Sequence, residues 1–309
     1  MTLFLKKILL FCFFVGTLSF CAFTILAFVF ELSFKNLPPP ELTNSYSLND
    51  KLRFTKNKKA AEILCIGSSM SLNNLDSDVI TDKLKTRSYL NLSSWGLSIQ
   101  DNYELLKIYT SLYPHPKVLL ISSNVIDFTT EKKKYDVKEL KEYLRSADDW
   151  KYHLKHFNLK YYLTTFRYCK KTKSSKDFHG SLVYDPYGAV ILDAQNFKKD
   201  TSRWNSYNLV APKTELNYNY LDSISSFCAQ NNIRLFFINA PIRSKLLDEA
   251  KMKIVTAHTL KINKLLSNNH QQFINSYQLS WHDSLFVDAT HFNSIGASRY
   301  TKFFLDGIQ

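Results

Sequence analysis

The chain of 309 residues is 45% hydrophobic and carries a net charge of +13, which gives it material for one large α/β domain or two small ones and excludes a disordered protein. A basic balance of this size favours anionic partners, but nucleic acid is not an expected one, because no recognition motif is visible. Five cysteines are an odd number without metal-ligand spacing, so no metal or cofactor is expected, and a disulfide is not expected although an oxidising compartment would permit one at Cys169.

At the N-terminus, Lys6 and Lys7 precede an uncharged run of 23 residues from Ile8 to Phe30, which ends at Glu31. A bilayer-spanning helix needs about 20 apolar residues, whereas a cleavable signal has an apolar region of about 7–15 and a small-residue cleavage site. No such site follows, and Phe20 before Cys21 is too bulky for a lipobox. A retained signal anchor over residues 8–30 is therefore expected, with residues 1–7 in the cytoplasm and the remainder translocated. Lys51, Arg53, Lys56, Lys58 and Lys59 lie on the other side, far enough from the span for the charge rule to lose force.

Residues 31–59, with Pro38-Pro39-Pro40 and a polar stretch, read as a semi-extended tether, and the folded domain is expected over 60–309. There, short runs rich in Ile, Leu and Val alternate with segments of helical period, which predicts a mainly parallel five-stranded sheet covered by helices in a three-layer α/β/α arrangement. The predicted strands are Ile63–Ile66, Tyr89–Leu92, Val118–Ser122, Arg234–Ile238 and Gln272–Asn275. Helical stripes fall at Leu105, Ile108, Tyr109 and Leu112, at Leu216, Tyr220, Ile224, Phe227 and Cys228, and at Leu247, Ala250, Ile254 and Leu265. A last stripe, Ala297, Tyr300, Phe304 and Ile308, follows Asn293 as expected N-cap. Residues 129–210 interrupt the alternation with 17 Lys and Arg against 10 Asp and Glu, and read as a basic insertion on the sheet's active edge, partly helical over Val137–Leu163. Such charge is ordinarily a solvated face, and the sharper reading is attraction to acidic lipid or an anionic glycan.

Chemistry concentrates where the predicted strands end. Gly67-Ser68-Ser69-Met70-Ser71 follows the first strand, and Asp288-Ala289-Thr290-His291 precedes the last helix. A serine hydroxyl is a weak nucleophile at neutral pH and needs a histidine to take its proton and a third group to hold the imidazole. The three-residue spacing lets Asp288 turn back onto one ring nitrogen of His291 while the other faces a hydroxyl delivered from elsewhere. Gly96 follows the second strand in Asn91-Leu92-Ser93-Ser94-Trp95-Gly96, and Asn124 follows the third in Ile121-Ser122-Ser123-Asn124. Ligands of open α/β sheets bind at such carboxyl ends. Arg243, in Ala240-Pro241-Ile242-Arg243, reads as a surface residue, as do His153, His156 and His282.

These four blocks, in this order, resemble the SGNH (GDSL-type) serine hydrolase and acyltransferase superfamily, whose fold is flavodoxin-like. The resemblance implies Ser69, Asp288 and His291 as catalytic triad, and Ser69, Gly96 and Asn124 as oxyanion donors. The chain departs from the pattern at Ser68, where the family has aspartate, and at Ser122-Ser123-Asn124-Val125, which replaces Gly-x-Asn-Asp. The tail from Asp288 to Ala297 looks closest to the membrane-anchored branch that includes the alginate O-acetyltransferase accessory proteins and the teichoic-acid D-alanylation protein. That likeness implies a single-pass protein of the bacterial cytoplasmic membrane with its catalytic domain on the periplasmic or extracellular side.

The expected function is therefore a serine O-acyltransferase that passes an acyl group, acetyl foremost, from Ser69 to a hydroxyl of a cell-envelope polysaccharide or other acceptor, beside a multi-pass membrane-bound O-acyltransferase. The same acyl-enzyme attacked by water is an esterase. A noncatalytic scaffold for the membrane acyltransferase is the reading from a different class.

Overall fold

The computed structural model describes residues 2–29, 37–56, 58–147, 149–174, 180–193, 204–205, 207–213 and 215–308. Parts of the expected tether (31–36 and 57) and of the expected insertion (148, 175–179, 194–203 and 206) lie outside the described residues, as does residue 30 at the end of the expected span. The chain forms two compact units, one of Met1–Pro38 with Leu159–Lys170 and one of Pro39–Asn158 with Lys171–Gln309.

In the first unit, helix α1 (Thr2–Val29) exposes the apolar side chains of its stretch Leu3–Ile25, which is long and apolar enough to cross a membrane. This agrees with a signal anchor or a signal sequence.

The second unit is built on five parallel strands, β1 (Ile63–Ile66), β2 (Tyr89–Asn91), β3 (Val118–Ser123), β4 (Arg234–Asn239) and β5 (Gln272–Ile274), in the order β2-β1-β3-β4-β5. This is the doubly wound order whose switch point falls between β1 and β3. Alternation along the strands separates two cores. Leu64, Ile66, Leu119, Ile121, Leu235 and Phe237 share one with α5 (Ile99–Thr110) and α9 (Leu216–Gln230). Ile63, Cys65, Leu120, Phe236 and Ile238 share the other with α4 (Ser77–Lys83) and α11 (Ser294–Asp306), whose N-terminus Asn293 caps. The first core also takes Ile262 and Leu266 from α10 (Glu249–Asn268), and the short α3 (Ser69–Asn74), which starts at the candidate nucleophile, follows β1.

Two expectations need correction. The tether does not reach residue 59, because Tyr46–Lys56 is a helix, α2, that buries Leu48 and Leu52 completely in the main core. Its polar sequence conceals this, since it also buries Lys51, whose ammonium donates to the carbonyls of Asn91 at 3.2 Å and of Gly188 and lies 4.1 Å from the centre of the Tyr184 ring. Burial pushes the Lys51 pKa down to about 7. In α10 the buried face is Val255, His258, Ile262 and Leu266, not the stripe through Leu247 and Ala250, and in α9 the first stripe residue, Leu216, is exposed. The basic segment folds as α6 (Val137–Arg145), α7 (Trp150–Lys155) and α8 (Leu159–Ser174), and the first twelve residues of α8 belong to the first unit.

Candidate active site

Ser69 stands at the first turn of α3, directly after β1. Gly67 makes this turn possible: its φ is +151°, and a Cβ there would come within 2.2 Å of Ser71 Oγ. That hydroxyl is committed to β3, donating to the Ser122 carbonyl at 2.9 Å and accepting from the Ser122 N–H at 2.8 Å. The Ser68 hydroxyl caps α3 by accepting from the Met70 N–H at 3.2 Å. The nucleophile loop is thus fixed on both sides of Ser69.

The histidine loop is a tight reversal closed by a bridge between Phe286 and Phe292 and by the Val287 N–H donating to the His291 carbonyl at 2.9 Å. The α3 helix that begins with Ser69 ends with Asn74, whose amide binds this loop twice. Asn74 accepts from the Phe292 N–H at 2.8 Å and donates to the Thr290 carbonyl at 3.1 Å. One short helix therefore sets the distance between nucleophile and base.

The structure brings Ser69, His291 and Asp288 into one hydrogen-bonded chain. Ser69 Oγ lies 2.9 Å from His291 Nε2, and His291 Nδ1 lies 2.8 Å from Asp288 Oδ2 and 3.0 Å from Oδ1. Asp288 Oδ1 also accepts from the N–H groups of Thr290 and His291, each at 2.8 Å. A carboxylate can only accept, so Nδ1 carries the ring proton and Nε2 is left to accept from the serine hydroxyl. All three residues are buried, Ser69 at 7% exposure, so the hydroxyl opens on a restricted surface.

Gly96 and Asn124 occupy the neighbouring strand ends. Gly96 has φ +64°, the left-handed region that favours glycine. Asn124 caps a 3-10 turn (Val125–Phe128): its Oδ1 accepts from the Ile126 N–H at 2.9 Å, while its buried Nδ2 has no hydrogen-bond partner among the described residues. Fixing the oxygen fixes the amide, and the unused donor belongs to a strand end next to that of β1. The Ser69 N–H is a first-turn donor without an intrahelical acceptor. Donors suited to a developing oxyanion are therefore present on two of these loops, at Ser69 and Asn124.

Several residues that the sequence did not single out also define the site. The Trp95 ring lies 5.3 Å from the His291 ring, between centres, and Trp95 Nε1 donates to the Ser181 carbonyl at 3.4 Å. Asp127, fully enclosed, accepts from the Ser123 hydroxyl at 2.7 Å and is also hydrogen-bonded to the Ser68 side chain. Burial pushes its pKa up to about 7, against the pull of those hydroxyls and of His291. Its only hint in sequence was its position three residues after Asn124.

Arg243 is not a surface residue: it is 3% exposed, forks onto Asp283 at 3.1 and 2.9 Å, and stacks 3.7 Å from the centre of the Trp204 ring. Its backbone N–H holds the Ala289 carbonyl at 3.0 Å, so it braces the histidine loop from below, and its guanidinium pulls the Asp283 pKa down to about 2. His156 pairs with Glu139 at 2.6 Å, and His282 caps its own turn by accepting from the Ser284 N–H at 3.2 Å. Among the described residues no cluster of His, Cys, Asp and Glu has the geometry to hold a metal ion. No protein-family model matches the chain, and no curated protein matches it.

Proposed function

We propose that the chain is a serine O-acyltransferase of SGNH type, anchored by α1 in a bacterial cytoplasmic membrane with its second unit on the outer side. The observation that carries this reading is the continuous chain Ser69–His291–Asp288, formed across 222 residues of sequence with hydrogen-bond distances throughout. A serine held by chance at a helix start has no need of a base whose tautomer is set by a buried carboxylate.

In the proposed reaction Ser69 Oγ attacks the acyl carbonyl and its proton passes to His291 Nε2. The carbonyl oxygen becomes an oxyanion, which the N–H groups of Ser69 and Gly96 and Asn124 Nδ2 stabilise without reorganising. As the tetrahedral species collapses, the bond to the donor's leaving group breaks and His291 returns the proton to that group. An acceptor hydroxyl then gives its proton to His291 Nε2 and attacks the Ser69 ester; the acyl carbon–Oγ bond breaks, His291 returns the proton to Ser69 Oγ, and the acylated product leaves. Asp288 holds the imidazole throughout and faces the positive charge formed on it. The acceptor in this reading is a cell-envelope polysaccharide, and a multi-pass membrane acyltransferase supplies the acyl group from within the bilayer.

A fluorophosphonate probe tests the chemistry. The full chain in detergent should label, and Ser69→Ala and His291→Ala should not. A wild-type chain that stays unlabelled beside a labelled control hydrolase would leave only the scaffold role. Transfer to a glycan hydroxyl in excess of hydrolysis separates the transferase from the esterase.

A further inference from the structure

The run Lys132-Lys133-Lys134 is uniform in sequence and divided in structure. Lys132 pairs with Glu104 at 2.8 Å and lies 4.7 Å from the centre of the Tyr135 ring, and Lys134 is exposed. Lys133 turns to Gly96: its ammonium is 3.3 Å from the place a Cβ on that glycine would occupy. We propose that Lys133 forms an anion subsite beside the catalytic cleft, which takes a carboxylate or phosphate carried by an acidic polysaccharide substrate. This rests on the acyl-transfer reading and names the class of molecule that the site takes.

Position is the first argument. The backbone of Lys133 is fixed to the loop that carries Gly96, because its N–H donates to Asp101 Oδ1 at 3.0 Å, and Asp101 closes the capping box with Ser98 at the start of α5. The Tyr135 hydroxyl donates to the same carboxylate at 3.0 Å. From the other side, Asn44 accepts the Lys134 N–H at 2.9 Å, and Thr43 bridges Tyr135. A backbone pinned by four contacts of its own segment leaves only the lysine side chain to be ordered when it engages a ligand.

Charge is the second argument. Among the described residues no ion pair or hydrogen bond engages the Lys133 ammonium, whereas Lys132 and Lys173 are each paired with a carboxylate and Lys51 is consumed by backbone carbonyls. A half-buried cation next to the glycine proposed as an oxyanion donor is suited to an anionic substituent of the same sugar or its neighbour. A neutral acceptor would leave the Lys133 charge partly desolvated and unanswered.

The test uses the full chain in detergent and a matched set of O-acetylated glycosides: a free uronate, its neutral methyl ester, and the corresponding sugar phosphate. The quantity read is the ratio of kcat/KM for the charged substrate to that for the neutral one. Wild type should prefer the charged member, Lys133→Gln should lower the ratio about tenfold, Lys133→Glu should lower it further, and Lys133→Arg should retain it. Whichever charged substrate loses more in Lys133→Gln identifies carboxylate or phosphate as the natural group. The same ratio in wild type and all three variants would overturn the proposal. If wild type turns over none of the substrates, the acyl-transfer reading fails separately, and equilibrium binding of the unacetylated glycosides to Ser69→Ala with and without Lys133→Gln decides the subsite. A charge preference lost with Lys133 supports it there, and equal binding overturns it.

Discussion

Two buried aspartates flank the serine–histidine pair, and they are held in opposite ways. Asp288 receives the imidazole N–H and two backbone N–H groups, all within 3.0 Å. Asp127 is equally enclosed but is met mainly by the hydroxyls of Ser123 and Ser68, with the Asn124 backbone N–H and no imidazole donor, and burial pushes its pKa up to about 7. Amide and imidazole donors require an acceptor and therefore hold a carboxylate in one role. Hydroxyls can donate or accept, so they tolerate either protonation state. The residue type is the same in both places, and the surrounding donors decide which aspartate can orient a base.

The largest expected effects bear on this contrast directly. Ser69→Ala should remove labelling and turnover, with a thermal midpoint close to wild type, because one hydroxyl contributes little to stability. Asp288→Asn should lower kcat by about 10⁴-fold, since an amide at that position favours the wrong imidazole tautomer. Asp127→Asn should cost less than about tenfold, because Asp127 does not hold the imidazole N–H. Equal losses in the two asparagine variants, measured as kcat on one acetyl ester, would break the comparison.

An intermediate effect is expected at Asn124. Removing one oxyanion donor typically costs about 10²–10³-fold in kcat, and Asn124→Ala should fall in that range with KM little changed. A change confined to KM would move Asn124 into substrate binding and leave only the backbone N–H groups to face the oxyanion.

What sequence could and could not show follows from the range of the interactions. Strands β1 to β5 were readable because their apolar runs are local, and the Asp288–His291 spacing was readable because both partners sit on one loop. Helix α2 was not. Its buried face holds only Leu48 and Leu52 besides polar side chains, and its buried charge Lys51 is satisfied by Gly188, 137 residues away. Arg243 looked like surface for the same reason, because the Asp283 carboxylate that permits its burial is 40 residues away. Asp127 and Asn74 act through contacts with Ser68 and the histidine loop, and no spacing rule announces either.

The smallest effect on turnover accompanies a distinct effect on stability. Asp127 has a pKa raised from 3.8 to about 7 in the fold, so between those values the native chain keeps a proton that the unfolded chain gives up. Stability from this group is then fully present below about pH 4, declines as pH rises, and is gone above about pH 7. Asparagine mimics the protonated acid at every pH and has nothing to lose across that window. Relative to wild type, Asp127→Asn should therefore gain stability as pH rises from 4.5 to about 7.5, by an amount on the order of 1–4 kcal/mol. Paired thermal melts of the two proteins at several pH values measure it. Parallel curves would mean that Asp127 ionises as readily in the fold as in the unfolded chain, and the contrast with Asp288 would then lie in geometry alone.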